Sequence, residues 1–337
     1  MNQNKLRVGV IGCGAIGKEH IKRMVNKIAQ TTVVAVADYY VESAKQVADQ
    51  YGITYYETGK ELIEAKDVDA VVIASSDESH GEYVLQCLKA KKYVFCEKPL
   101  SLSVEECIQM IEAEKEVGKK LVQVGFMRRY DAGYVEMKQM IDEGEIGKPL
   151  IIHAAHRNVS QAAGFQTDYA ITRVAIHEID ICRWLLDDEY DTVQVLAVKQ
   201  NSKSSTEWLN PQMMIMRTKS GQHIDLEVQT DHAYAYDIQC EVVGEEGIVK
   251  LPDQARVVQR KNAASSFGIS MDWSKRFLDA YDVEFDQWSK DVLADRVTGA
   301  NTWDGYVSCV TAEALIQSRK TGTPVKVELM EKPEIYQ

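Results

Sequence analysis

Gly12, Gly14 and Gly17 stand in the spacing G-x-G-x-x-G, between the apolar run LRVGVI and an amphipathic run that starts at Ala15. Glycines in that setting allow a tight turn, close approach of the backbone to a pyrophosphate, and close packing of the helix. Ala15 and Ile16 complete the turn, and the helix N-terminus supplies partial positive charge without any lysine. Asp38 closes the next apolar run, TVVAVAD, roughly 20 residues on, where a carboxylate accepts hydrogen bonds from an adenosine ribose. Tyr39 and Tyr40 follow it rather than arginine, and its charge would repel a 2′-phosphate. The pattern reads as a dinucleotide site that prefers NAD to NADP.

Ser75, Ser76 and His80 follow the third apolar run, and Glu97, Lys98 and Pro99 follow the fourth, YVFCE. In open α/β sheets ligands sit outside the carboxyl ends of the strands, which places both sets beside the cofactor crevice. From the residues alone, Glu97 and Lys98 read equally well as a surface salt bridge after a strand. A helix over 171–187 repeats Arg173, His177, Asp180 and Trp184 at helical spacing, which predicts one shared face. His153 and His156 are three apart on a strand, so alternation puts them on opposite faces. No cysteine or carboxylate completes a ligand set, and no metal is expected.

These residues need a scaffold, and the first 125 residues supply one by alternation. Strands at LRVGVIG, TVVAVAD, VDAVVIAS, KKYVFCE and KLVQVGF are interleaved with helices from Ala15, Val41, Ser79 and Val104, the mark of βαβ units on a parallel sheet. Beyond IDEGEIGKPL the pattern changes. Runs at 149–157, 191–200, 210–217, 222–231, 237–244 and 247–251 follow one another as strands, with the single helix of 171–187 among them. Helical patterns return from Ser274 to Lys320, and a final strand follows Gly322. The expected fold class is α/β: a Rossmann parallel sheet over 1–126, then an α+β domain over 127–337 with an open, mostly antiparallel sheet for substrate binding and oligomerisation. Its last helices have the option of packing back on the first domain.

At 337 residues the chain exceeds what one core usually serves, which also favours two domains. A net charge of −12 argues against nucleic acid or an anionic membrane as the main partner, since both need a positive field. The N-terminus enters a strand pattern too soon for a signal peptide, and no run has the length of a membrane span. Seven scattered cysteines without a C-x-x-C motif read as reduced core residues of a cytoplasmic protein.

Taken together, GCGAIGKEH, CEKPLS, GFMRRYDAGY, HRN, HEIDICRWLL and YDIQCEVVGEEG resemble the Gfo/Idh/MocA oxidoreductases, and within that family most resemble its bacterial inositol 2-dehydrogenases. The resemblance implies a homo-oligomer, with a tetramer favoured, that acts on a small polyol with NAD. It implies that Lys98 touches the substrate hydroxyl and the nicotinamide side, and that the Lys98–Pro99 bond is cis, an isomer proline makes accessible. Met127, Arg128, Asn158 and Tyr236 match positions that line the polyol pocket. His177 matches the family histidine. As a neutral imidazole it would take the hydroxyl proton, with the Lys98 ammonium stabilising the developing alkoxide. One position departs from the pattern. The family's inositol dehydrogenases carry an aspartate one turn before that histidine, and this chain has Arg173. Arg173 and Asp180 join the expected substrate-binding set, and ring orientation falls to Asp180 or Asp168. Two other readings stand beside inositol oxidation: the same chemistry on another sugar or cyclitol, and a dinucleotide-binding regulator without catalysis, against which intact Lys98 and His177 argue.

Overall fold

The computed structural model describes residues 5–205, 207–252 and 257–337. Its contacts divide the chain into two compact units: Met1–Phe126 with Tyr281–Cys309 and Leu329–Gln337, and Met127–Ala280 with Val310–Glu328.

The first unit begins with β1 (Leu6–Ile11), α1 (Ala15–Asn26), β2 (Thr31–Ala37) and α2 (Val41–Tyr51). A short strand, β3 (Thr54–Tyr56), and a short helix, α3 (Gly59–Glu64), follow. Neither was expected, because three and six residues are too few for a periodic pattern. The helix declares itself instead by a capping box, in which Thr58 and Glu61 satisfy each other's backbone N–H groups. Next come β4 (Ala70–Ile73), α4 (Asp77–Lys89), β5 (Tyr93–Glu97), α5 (Val104–Val117) and β6 (Val122–Gly125). α4 starts two residues before the expected Ser79, with Asp77 and Glu78 in the first turn, where the helix dipole favours acids. The six strands are parallel in the order β3-β2-β1-β4-β5-β6. β4, β5 and β6 are buried at every residue, as strands covered on both faces must be. The order reverses between β1 and β4, so a crevice opens beyond Ile11 and Ile73.

The second unit contains α6 (Ala132–Asp142), β7 (Pro149–Arg157), a π-helical turn at Ala170–Ala175, and α7 (Ile176–Leu186). Then come β8 (Tyr190–Leu196), β9 (Gln212–Thr218), β10 (His223–Gln229), β11 (Asp237–Gly244) and β12 (Ile248–Lys250). A small hairpin pairs β13 (Gln259–Lys261) with β14 (Ala264–Ser266). The chain closes with α8 (Trp273–Arg276), α9 (Leu278–Leu293), α10 (Thr302–Thr321) and β15 (Val325–Lys326). The large sheet runs β12-β11-β7-β10-β9-β8-β15, and only β7 and β10 pair in parallel. Inward positions such as Ile152, Ala154, His156, Leu226, Val228 and Cys240 are buried, while alternate positions such as His153 and His223 are exposed.

Candidate active site

In the first unit the glycine turn is built by contact. Gly12 has φ +104°, and a Cβ there would lie 2.3 Å from the Ala74 carbonyl oxygen. A Cβ on Gly17 would lie 2.0 Å from the Gly12 oxygen, so the helix can approach the turn only because both side chains are absent. Gly14 differs, since a Cβ there would meet nothing within 4 Å. It caps α1 with no side-chain hydrogen bond and no acid in the first turn, which leaves the helix N-terminus facing open space beside exposed Ala15. Asp38 is fixed on the rim of that space: its carboxylate accepts the N–H of Cys13 at 2.6 Å and of Tyr40 at 2.8 Å. The acid at the end of β2 is thereby tied to the turn after β1.

The loops after β4 and β5 are cross-linked by His80, which the sequence had suggested as a cofactor ligand. The ring is buried instead, donating Nδ1–H to the Pro99 carbonyl at 2.7 Å with Nε2 3.3 Å from the Ser75 carbonyl. It holds two crevice loops together from behind. Ser75 bonds Ser79 through their hydroxyls at 2.7 Å, and Ser76 is exposed. The Lys98–Pro99 bond is cis, and the Lys98 side chain is half-buried. Glu97, also placed at the crevice by sequence, points its carboxylate into the interior, where it accepts from His20 Nε2 at 2.6 Å.

In the second unit, Met127 and Arg128 lie on a 3-10 turn at Met127–Tyr130, and both are buried. Arg128 is ion-paired with Glu178. Glu178 also accepts His156 Nδ1–H at 2.9 Å. Burial opposes ionisation of Glu178, but the charge of Arg128 and then the His156 contacts hold its carboxyl below the usual range. The His156 ring packs edge-on to Tyr236 at 5.7 Å between centroids and lies 6.1 Å from His177. Burial, the largest influence, pushes the Tyr236 phenol up to about 12, so it stays neutral and can both donate and accept. Asn158 is half-buried at the end of β7, where its backbone N–H donates to the Gln229 carbonyl at 2.7 Å. Arg128, His156, His177 and Tyr236 thus form one cluster of polar rings beside a buried guanidinium on the helix-bearing side of the sheet.

The helix that carries Arg173 and His177 opens with the π turn, whose winding is wider than that of an α-helix. The Arg173 guanidinium lies 3.9 Å over the Tyr169 ring. Asp180 is buried and gripped by Arg129 through Nε at 2.9 Å and Nη2 at 2.5 Å. Asp168, the other candidate to orient the imidazole, pairs with Arg319 at 2.8 Å.

Residues 6–126 match the oxidoreductase family model described as its NAD-binding Rossmann fold, and residues 138–327 match the same family's C-terminal alpha/beta domain. The chain belongs to the Gfo/Idh/MocA oxidoreductase family. Among relatives in that family, an inositol 2-dehydrogenase of Klebsiella pneumoniae is 46% identical over 98% of this chain and 99% of its own length. An inositol 2-dehydrogenase/D-chiro-inositol 3-dehydrogenase of Shouchella clausii is 44% identical, covering 98% of this chain and 97% of its own. The crystal structure of a myo-inositol dehydrogenase from Lactobacillus casei, in complex with NAD(H) and myo-inositol, superposes with a TM-score of 0.96 at 35% identity. It covers 99% of this chain and 100% of that one. The family's cofactor fits the residues present: the open space at Gly14, the uncapped N-terminus of α1 and the tethered Asp38 suit a pyrophosphate and an adjoining ribose.

Three members of these clusters were not assigned from sequence. His20 lies inside the quoted GCGAIGKEH, and His156 opens HRN. Glu178 directly follows His177. The signal for each was a charged or titratable residue in an otherwise apolar setting. Only contacts across the fold show what each one meets.

Proposed function

We propose that this protein oxidises an inositol, myo or scyllo, to its 2-keto form, with NAD as cofactor. The observation that carries this reading is the full-length likeness to inositol 2-dehydrogenases, which spans both units. Bound NAD supplies the hydride acceptor for the carbinol carbon. His177, as neutral imidazole, takes the hydroxyl proton, so the C–H pair leaves as hydride and the O–H pair becomes the carbonyl π bond. The Lys98 ammonium lowers the energy of the alkoxide that develops on oxygen. Neutral Tyr236, together with Asn158, presents hydrogen-bond partners to the remaining hydroxyls, and a site of this kind rejects analogues that lack them. Arg128, ion-paired with Glu178, adds a fixed guanidinium whose charge is balanced, so it serves as a hydrogen-bond donor rather than as a net charge. Arg173, where the resemblance implies aspartate, favours a second reading in which the preferred substrate is another sugar or cyclitol.

The seven cysteines are buried and unpaired, which supports a reducing compartment and hence the cytoplasm. No described helix is long and apolar enough to cross a membrane. The half-exposed outer sheet face around His153, Asp225 and Arg157 supports self-association, with a tetramer proposed. NADH formation across myo-, scyllo- and chiro-inositol and glucose tests the substrate assignment. Turnover of glucose alone would overturn it. Light scattering tests the tetramer.

A further inference from the structure

His20 is fully buried on α1, in contact with Phe95 of β5 and with Tyr281 and Phe285 of α9. Its Nδ1 faces the Arg23 guanidinium, which can only donate. Nδ1 must therefore accept, and the ring's single proton sits on Nε2, donated to Glu97 Oε1 at 2.6 Å. Arg23 is anchored in turn by Asp282 at 3.2 Å. The other Glu97 oxygen accepts the backbone N–H of Lys98 at 3.3 Å. Gly125, opposite Glu97 on β6, leaves room for this arrangement, since a Cβ there would stand 3.3 Å from the Glu97 carboxyl carbon. The result is an ordered line, Asp282 to Arg23 to His20 to Glu97 to the Lys98 backbone, inside one unit.

We propose that His20 is a positioning residue that fixes the Glu97 carboxylate, and through it the start of the Lys98 loop. The proposal rests on Lys98 acting on the substrate alkoxide. Two directions agree with the geometry. Burial, above all, lowers the His20 imidazole, keeping it neutral. Burial alone would raise Glu97, but the hydrogen bond from His20 and then the charge of Lys98 hold it below its ordinary value. The groups facing Glu97 are His20 from α1, His80 from α4, Lys98 on its own loop and the Cys96 thiol beside it. Glu19 and Arg23 are the other charges felt by His20. A neutral donor at Nε2 is thus the element the line cannot lose.

The test compares His20→Gln, whose amide nitrogen reaches the Nε2 position and can donate to Glu97, with His20→Asn and His20→Phe, which cannot. The Phe and Asn variants are expected to lower kcat by about 10- to 100-fold, the size of one charge-assisted hydrogen bond, with NADH affinity nearly unchanged. Gln should recover most of that loss. Equal losses in Gln and Asn would overturn the proposal, leaving His20 a core residue. A second readout needs no turnover. Carbon-13 carboxyl NMR of the full chain, assigned with Glu97→Gln, should show Glu97 titrating at higher pH in His20→Asn than in the parent. An unchanged Glu97 titration would also overturn the proposal. If instead Lys98→Met keeps normal turnover, the alkoxide role of Lys98 fails, while the NMR result still decides whether His20 governs Glu97.

Discussion

His156 donates its Nδ1 proton to Glu178 at 2.9 Å. Arg128 Nη2 lies 3.2 Å from the same Nδ1, but that nitrogen cannot accept while it donates, and the shorter bond to an ionised carboxylate prevails. Glu178 therefore sets the tautomer of His156 and neutralises Arg128 at once. It does so from the position next to His177 in the chain.

This relationship gives a stability prediction. Arg128 and Glu178 are both almost wholly buried, and removing one partner leaves the other charge uncompensated. Glu178→Ala should cost about 3 to 5 kcal/mol by urea denaturation, whereas an exposed pair such as Lys60–Glu64 should cost under about 1 kcal/mol. Equal costs at the two sites would refute this account of the buried pair.

The same carboxylate makes the protein acid-sensitive in a defined direction. Its folded value lies below the ordinary 4.5, so the unfolded chain binds its proton first as pH falls. The stabilisation is complete above the unfolded value and is lost as pH drops through the folded one. Glu178→Gln should flatten the acid limb of a stability-against-pH curve. An unaltered limb would assign acid unfolding to other groups.

At the cofactor end, Asp38→Ala removes the proposed ribose acceptor and also the bonds to Cys13 and Tyr40. The KM for NAD should rise by about 10- to 100-fold while rejection of NADP relaxes. Equal losses with both cofactors would count against a specificity role.

For the chemistry, His177→Ala should lower kcat by about 10² to 10⁴ while NADH binding, followed by fluorescence, holds. Near-normal turnover would remove His177 from the mechanism.

Arg173 sits on the π turn with its guanidinium over the Tyr169 ring. Arg173→Asp should change the ratio of kcat/KM for myo- over scyllo-inositol by about 10-fold or more, the scale of one charged contact. A constant ratio would exclude this position from choosing the polyol.

The sequence by itself determined the features that depend on local chemistry. The glycine spacing fixed the turn after β1, because Gly12 and Gly17 are required by contacts within one βαβ unit. Apolar runs with helices between them fixed the parallel sheet, since burial on both faces leaves a mark in every residue of β4 and β5. The change to strand after strand beyond residue 148 likewise announced the second sheet. The tertiary structure alone decided what the polar residues meet. His80 and Asp180 carry the same side chains in any setting, and only the fold gives them partners 19 and 51 positions away, Pro99 and Arg129. His20 and His156 were legible as histidines but not as donors to Glu97 and Glu178, because those bonds span 77 and 22 residues. The π turn escaped for a related reason. Helical periodicity assumes one winding, and only packing shows where the winding changes.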